Sequence, residues 1–93
     1  MDLEEVRSKV LPVLKRYGVR RASVFGSLVR EETAEESDVD LLVELGDDKS
    51  LLDLAGLKIE AEELLGRRVD VLTYNAIHPL LRERILSEQK AIL

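Results

Sequence analysis

Residues 38–45, Asp-Val-Asp-Leu-Leu-Val-Glu-Leu, constrain this chain more than any other stretch. Their pattern has the period of a strand, so Val39, Leu41, Val43 and Leu45 share one face. Asp38, Asp40, Leu42 and Glu44 share the other. One face is wholly aliphatic and must be covered. The other opens with two carboxylates, which repel unless a cation lies between them.

The flanking segments supply what such a strand needs. Leu3, Val6, Val10, Val13, Leu14 and Tyr17 recur at helical spacing, with Asp2 placed to cap the start and Gly18 to end the helix. Pro12 falls inside this pattern and is expected to bend the helix or shift its start. Arg21–Phe25 reads as a short strand running into Gly26-Ser27, and residues 28–37 leave room for one helical turn. Ser50 and Asp53 form a capping box before a helix that ends at Gly66. That helix is expected to bury Leu51, Leu54, Leu57, Ala61, Leu64 and Leu65. Residues 68–73 form a third strand, and His78-Pro79 opens a last helix through about Gln89. The 93 residues therefore make a single α/β domain, a small sheet with helices packed on one face.

Composition excludes several classes of function. With no cysteine, disulfides and thiolate metal sites are ruled out. No apolar run reaches the ~20 residues that span a bilayer, and the acidic start argues against a signal peptide. A cytoplasmic location is expected. The net charge of −5 disfavours tight nonspecific binding to nucleic acid, and aromatics at 3% leave few side chains for stacking on bases.

Three places carry candidate chemistry. Asp38 and Asp40, two apart in a strand, have Cα atoms ~6.6 Å apart and side chains on one face. Mg²⁺ takes one or two carboxylates together with substrate phosphates and water. Two such ions ~3.5–4 Å apart can stabilise both oxygens of an in-line displacement. Gly26-Ser27 lets the backbone approach a phosphate, and Arg30 could clamp its oxygens. Asp70 sits in the middle of an apolar strand, either exposed on an edge or sharing a face with Asp38 and Asp40. Taken alone, each has a bland reading: a solvated strand start, a turn, a surface arginine, an edge carboxylate. His78 reads as a helix-start residue, and Glu31, Glu32, Glu35 and Glu36 as a solvated acidic run.

As an ordered set, Gly26-Ser27-Leu28-Val29-Arg30, Ser37-Asp38-Val39-Asp40-Leu41-Leu42-Val43 and Val69-Asp70-Val71-Leu72-Thr73 resemble the minimal nucleotidyltransferases. These are the smallest members of the DNA polymerase β-like superfamily, and the resemblance covers nearly the whole chain. It implies a mixed-sheet, palm-like fold and Mg²⁺-dependent transfer of a nucleoside monophosphate from a triphosphate such as ATP. By position, Asp38 and Asp40 would bind two Mg²⁺ ions. Asp70 would be the third acidic residue, ligating metal and assisting the acceptor hydroxyl. Gly26, Ser27 and Arg30 would hold the triphosphate. The family also implies a partner, a HEPN-domain toxin adenylylated on tyrosine, with the nucleotidyltransferase as its antitoxin. Glu31 departs from the pattern, since relatives often carry Gly there.

Rival readings remain open. The chain could neutralise a partner by masking it without chemistry, or it could transfer a nucleotide to another acceptor. Aminoglycoside-modifying relatives need a further domain, for which this chain has no length. A phosphohydrolase with Asp38 as nucleophile lacks its other expected residues.

Overall fold

The computed structural model describes residues 2–26, 29 and 38–93. Helix α1 (Leu3–Arg16) is followed by strands β1 (Val19–Phe25) and β2 (Val39–Leu45). Helix α2 (Leu51–Leu65) leads to strand β3 (Val69–Thr73), a 3₁₀ turn over Tyr74–Ala76, helix α3 (Pro79–Glu88) and the two-residue strand β4 (Lys90–Ala91). The sheet order is β3-β2-β1-β4, antiparallel except for the β2–β3 pair, which is parallel. A parallel neighbour needs a crossover connection, and α2 provides it. Among the described residues no helix is long and apolar enough to cross a membrane.

Helix boundaries follow local chemistry. Asp2 Oδ1 accepts the Glu5 amide at 2.9 Å and caps α1. Pro12 does not move the start of α1, which runs through it to Arg16. Pro12 and Ser8 are both exposed, so the carbonyl that loses its donor can meet water. At α2 both halves of the capping box form: Ser50 Oγ accepts from the Leu52 amide, and Asp53 Oδ2 from the Ser50 amide at 2.8 Å. Gly66 then takes φ 65°, the left-handed conformation that ends the helix without a Cβ clash. His78 Nδ1 accepts the Leu80 amide at 3.1 Å and Pro79 takes the first helical position, the helix-start role expected for this pair.

The alternation in β2 divides the sheet as expected. Val39, Leu41 and Val43 join Ala22, Val24 and Val69 in the main core, beneath Val6, Val10, Val13 and Leu14 of α1 and Leu57, Ala61 and Leu65 of α2. A bulge between Val19 and Arg21 allows Val19 to join the same cluster despite its odd spacing from Ala22. Each of the valine and leucine side chains contributes about 1.5–3 kcal/mol by leaving water. The opposite face carries a smaller cluster of Phe25, Leu42, Ile77 and Ile85, so α1 and α2 cover one face while α3 reaches the other.

Two expectations need correction. Leu51 is 83% exposed and Leu64 47%. The buried stripe of α2 runs through Leu57, Ala61 and Leu65, with Leu54 partly covered. Leu51 lies in the first turn of α2, and Leu64 on the flank facing α1. Strand β4 and the 3₁₀ turn are also absent from the sequence reading. Two residues carry no periodicity, and β4 exists through its pairing with Ser23 and Val24.

Candidate active site

The site is built where β1 ends beside the beginning of β2. Phe25 pairs with Asp40, so Gly26 is the first residue beyond the ladder on that side. Gly26 has φ 77°, and its carbonyl accepts the Val29 amide at 3.1 Å, closing a turn. A Cβ at this position would overlap Asp40 Oδ2 and lie 3.2 Å from Asp40 Cγ. Glycine is thus needed twice, for its dihedral and for its closeness to a carboxylate. Ser27 and Arg30, the other residues expected to hold phosphate, lie outside the described residues, as does the acidic run of residues 31–36.

The parallel ladder supplies the second half. Asp40 stands in register with Asp70, flanked by Val39 with Val69 and Leu41 with Val71. Neighbours in a ladder lie ~4.8 Å apart with side chains on the same face. Asp70 is therefore on an edge strand and also beside Asp40, which joins the two alternatives the sequence left open. Asp38 immediately precedes β2 and, two residues before Asp40, falls on the same side by alternation. Asp38 and Asp40 are half-buried and Asp70 is exposed. Glu62 helps fix this register: its Oε2 accepts the Val69 amide at 2.9 Å, holding the start of β3 against α2.

The fit to a metal is specific in kind. Among the described residues no three acidic or histidine side chains are gathered into a metal-holding group. What is present is an adjacent carboxylate pair with a close-approaching glycine turn. That donor set suits an ion which takes one or two carboxylates and completes its shell with phosphate oxygens and water, as Mg²⁺ does.

One residue at this site has no sequence signal. Glu88, at the end of α3, accepts the Gly26 amide through Oε1 at 3.1 Å, while its Oε2 lies 4.0 Å from Arg84 Nε. Only the pairing of β4 with β1 reveals the contact. Val24 pairs with Lys90, so two steps further along antiparallel strands Gly26 meets Glu88. Tyr74 holds the same corner, with its hydroxyl 3.3 Å from both Ser23 Oγ and Gln89 Oε1 and its ring 4.4 Å from the Arg21 guanidinium carbon.

A cleft of about 450 Å³ lies elsewhere, among Leu45, Gly46, Lys49, Ser50, Thr73 and Asn75. It opens at the carboxyl ends of β2 and β3, five residues or ~16 Å along the strand from Asp40. It takes no part in the carboxylate site.

The nucleotidyltransferase domain family matches residues 7–92 of this chain. The chain belongs to that family. It is 57% identical over 93 residues, all of both chains, to a candidate protein adenylyltransferase of Methanocaldococcus jannaschii. It is 39% identical over 92 residues to the protein adenylyltransferase MntA of Thermococcus cleftensis, covering 95% of this chain and 93% of that one. A solved candidate minimal nucleotidyltransferase superposes with TM-score 0.83 at 45% identity, covering 97% and 95% of the two chains. At the level of fold alone, a chain in the complex of a tri-AMPylated HEPN toxin with an MNT antitoxin from Shewanella oneidensis superposes with TM-score 0.74. Identity there is 16%, with coverage of 97% and 71%. This minimal nucleotidyltransferase has the mixed-sheet, polymerase β-like fold that its motifs imply.

Proposed function

We propose that this nucleotidyltransferase is the antitoxin of a toxin–antitoxin pair, transferring AMP from ATP to a tyrosine hydroxyl of a HEPN-domain partner. The observation that carries the reading is the parallel register seating Asp70 beside Asp40 behind the Gly26 turn. The names of the relatives, adenylyltransferases at 57% and 39% identity, support the choice of a protein acceptor. The AMPylated toxin in the Shewanella complex supports the choice of partner.

Asp38 and Asp40 would hold Mg²⁺, which when bound neutralises phosphate charge at the reacting centre. The Gly26 turn would seat the triphosphate beside Asp40, because only a residue without a side chain lets the backbone lie so close to that carboxylate. Asp70, exposed on the edge strand, is placed to face an incoming acceptor and take the proton of its hydroxyl. The acceptor oxygen forms a bond to the α-phosphorus, the bond to the bridging oxygen breaks, and pyrophosphate leaves. Ser27 and Arg30 complete the phosphate contacts in this reading.

Incubating the chain and its co-encoded helical partner with ATP labelled at the α-phosphate tests the proposal. Label should reach the partner, and Asp38→Ala with Asp40→Ala should abolish it while the complex still forms. Undiminished labelling by the double variant overturns the site. Neutralisation that survives the double change without labelling establishes masking instead.

A further inference from the structure

Gly26 is bracketed by carboxylates. Asp40 lies against its α-carbon, and Glu88 accepts its amide at 3.1 Å. A phosphate seated on this turn would need that same amide, as backbone N–H groups at glycine turns are the usual donors to phosphate. One N–H cannot serve a carboxylate and a phosphate oxygen together, and two anions converging on it repel. Glu88 is not held there by accident of a loose side chain. Its backbone ends α3, the next residue but one pairs with Val24, and Gln89 is fastened to Tyr74. Its side chain is only 18% exposed. Arg84, one turn back on the same helix and 66% exposed, stands 4.0 Å from the second carboxylate oxygen and offers the charge another partner.

We propose that Glu88 is a resident anion on the phosphate turn, which a nucleoside triphosphate must displace towards Arg84 to take the Gly26 amide. The inference rests on reading Gly26 as part of the phosphate site. It assigns Glu88 a role in setting triphosphate affinity and couples occupancy of the turn to the end of α3 and to β4. A carboxylate that merely props the turn open would have the opposite effect, since its loss would weaken binding.

Calorimetry with Mg²⁺ and either ATP or inorganic tripolyphosphate, on wild type, Glu88→Gln and Glu88→Ala, separates the two. Glu88→Ala should bind both ligands about tenfold tighter, the lower limit for a charge-assisted hydrogen bond. Glu88→Gln, whose amide oxygen can still accept the Gly26 N–H, should bind them tighter by a smaller factor. Unchanged or weaker binding by folded variants overturns the proposal. Should the variants not fold, the carboxyl carbon resonance of Glu88 in ¹³C-labelled wild type decides. It should move on saturation with tripolyphosphate, and a stationary signal overturns the displacement. If wild type binds ATP in these measurements but Glu88 is inert, only this inference falls. If wild type binds neither ligand, the phosphate reading of Gly26 falls and takes the inference with it.

Discussion

The two faces of the sheet are built to different specifications. Beneath α1 and α2, residues of both helices and of β1, β2 and β3 form one aliphatic cluster, joined by Ile92 just beyond β4. On the opposite face the buried hydrophobic cluster among the described residues is Phe25, Leu42, Ile77 and Ile85, with the polar Ser23 buried beside them. The same face carries Asp38, Asp40 and Asp70 at its open end. Leu41 and Leu42 are adjacent in one strand and equally buried, yet one serves the large core and the other the small one. Stability is concentrated on the first face, and the second keeps room for charge. In so short a chain one sheet face must supply most of the core.

That division predicts opposite signatures for substitutions on the two sides. The largest effect should come from Asp70→Asn, lowering nucleotidyl transfer by about 10³-fold, within the range for loss of a general base. Because Asp70 is exposed, Tm should stay within a few degrees; a collapse of Tm alongside activity would break the comparison. Leu57→Ala, on the helical face and fully buried, should cost about 3 kcal/mol and lower Tm by roughly 15 °C. Ile85→Ala, in the small cluster and 8% exposed, should cost about 2 kcal/mol in a urea titration. Equal losses at Leu57 and Ile85 would mean that the two clusters are not unequal in energy.

Gly26→Ala sharpens the boundary between fold and site. Its positive φ should cost about 1–2 kcal/mol, and the added methyl must push Asp40 aside. Transfer should fall well beyond what the stability loss explains, as read from kcat under conditions where the variant is folded.

The smallest effect concerns the seam between α1 and α2. The Tyr17 hydroxyl, and after it Arg16, hold the Glu60 carboxyl below its ordinary range. The same hydrogen bond to Glu60, and secondarily burial, push the Tyr17 phenol above its ordinary value of 10.0. Glu60 therefore contributes stability that is present above the ordinary carboxyl range and is lost as pH falls through its lowered folded value. Tyr17 contributes stability that is present below its unfolded value and is lost as pH rises through its raised folded value. Tyr17→Phe should flatten both limbs of a plot of urea midpoint against pH. An unchanged acid limb would show that Arg16 alone accounts for Glu60.

Most of the fold was legible because its signals are local. Asp2, Ser50 with Asp53, Gly66 and His78-Pro79 mark helix ends through bonds within a few residues, and all occur. The faces of β2 followed from alternation alone. What was not legible depends on pairing. Which of the leucines in α2 meet the sheet depends on where the sheet lies, and Leu51 and Leu64 are left exposed. Asp70 could be placed on a strand but not beside Asp40 without the parallel register. Glu88 is a helix-terminal acid in sequence, and becomes a neighbour of Gly26 only once β4 returns to β1.

The register of β2 with β3 has a consequence for how the protein comes into being. Shifting β3 by one residue would set Asp70 towards the aliphatic core and lift Val69 and Val71 out of it, because side chains alternate strictly. The Glu62 bond to the Val69 amide would be lost in the same step. No well-packed form slipped by one residue therefore competes with the native one. Maturation of the carboxylate pair and closure of the core are a single event. A refolded preparation with the full cooperative melting transition has, by that fact, Asp70 on the same face of the sheet as Asp40.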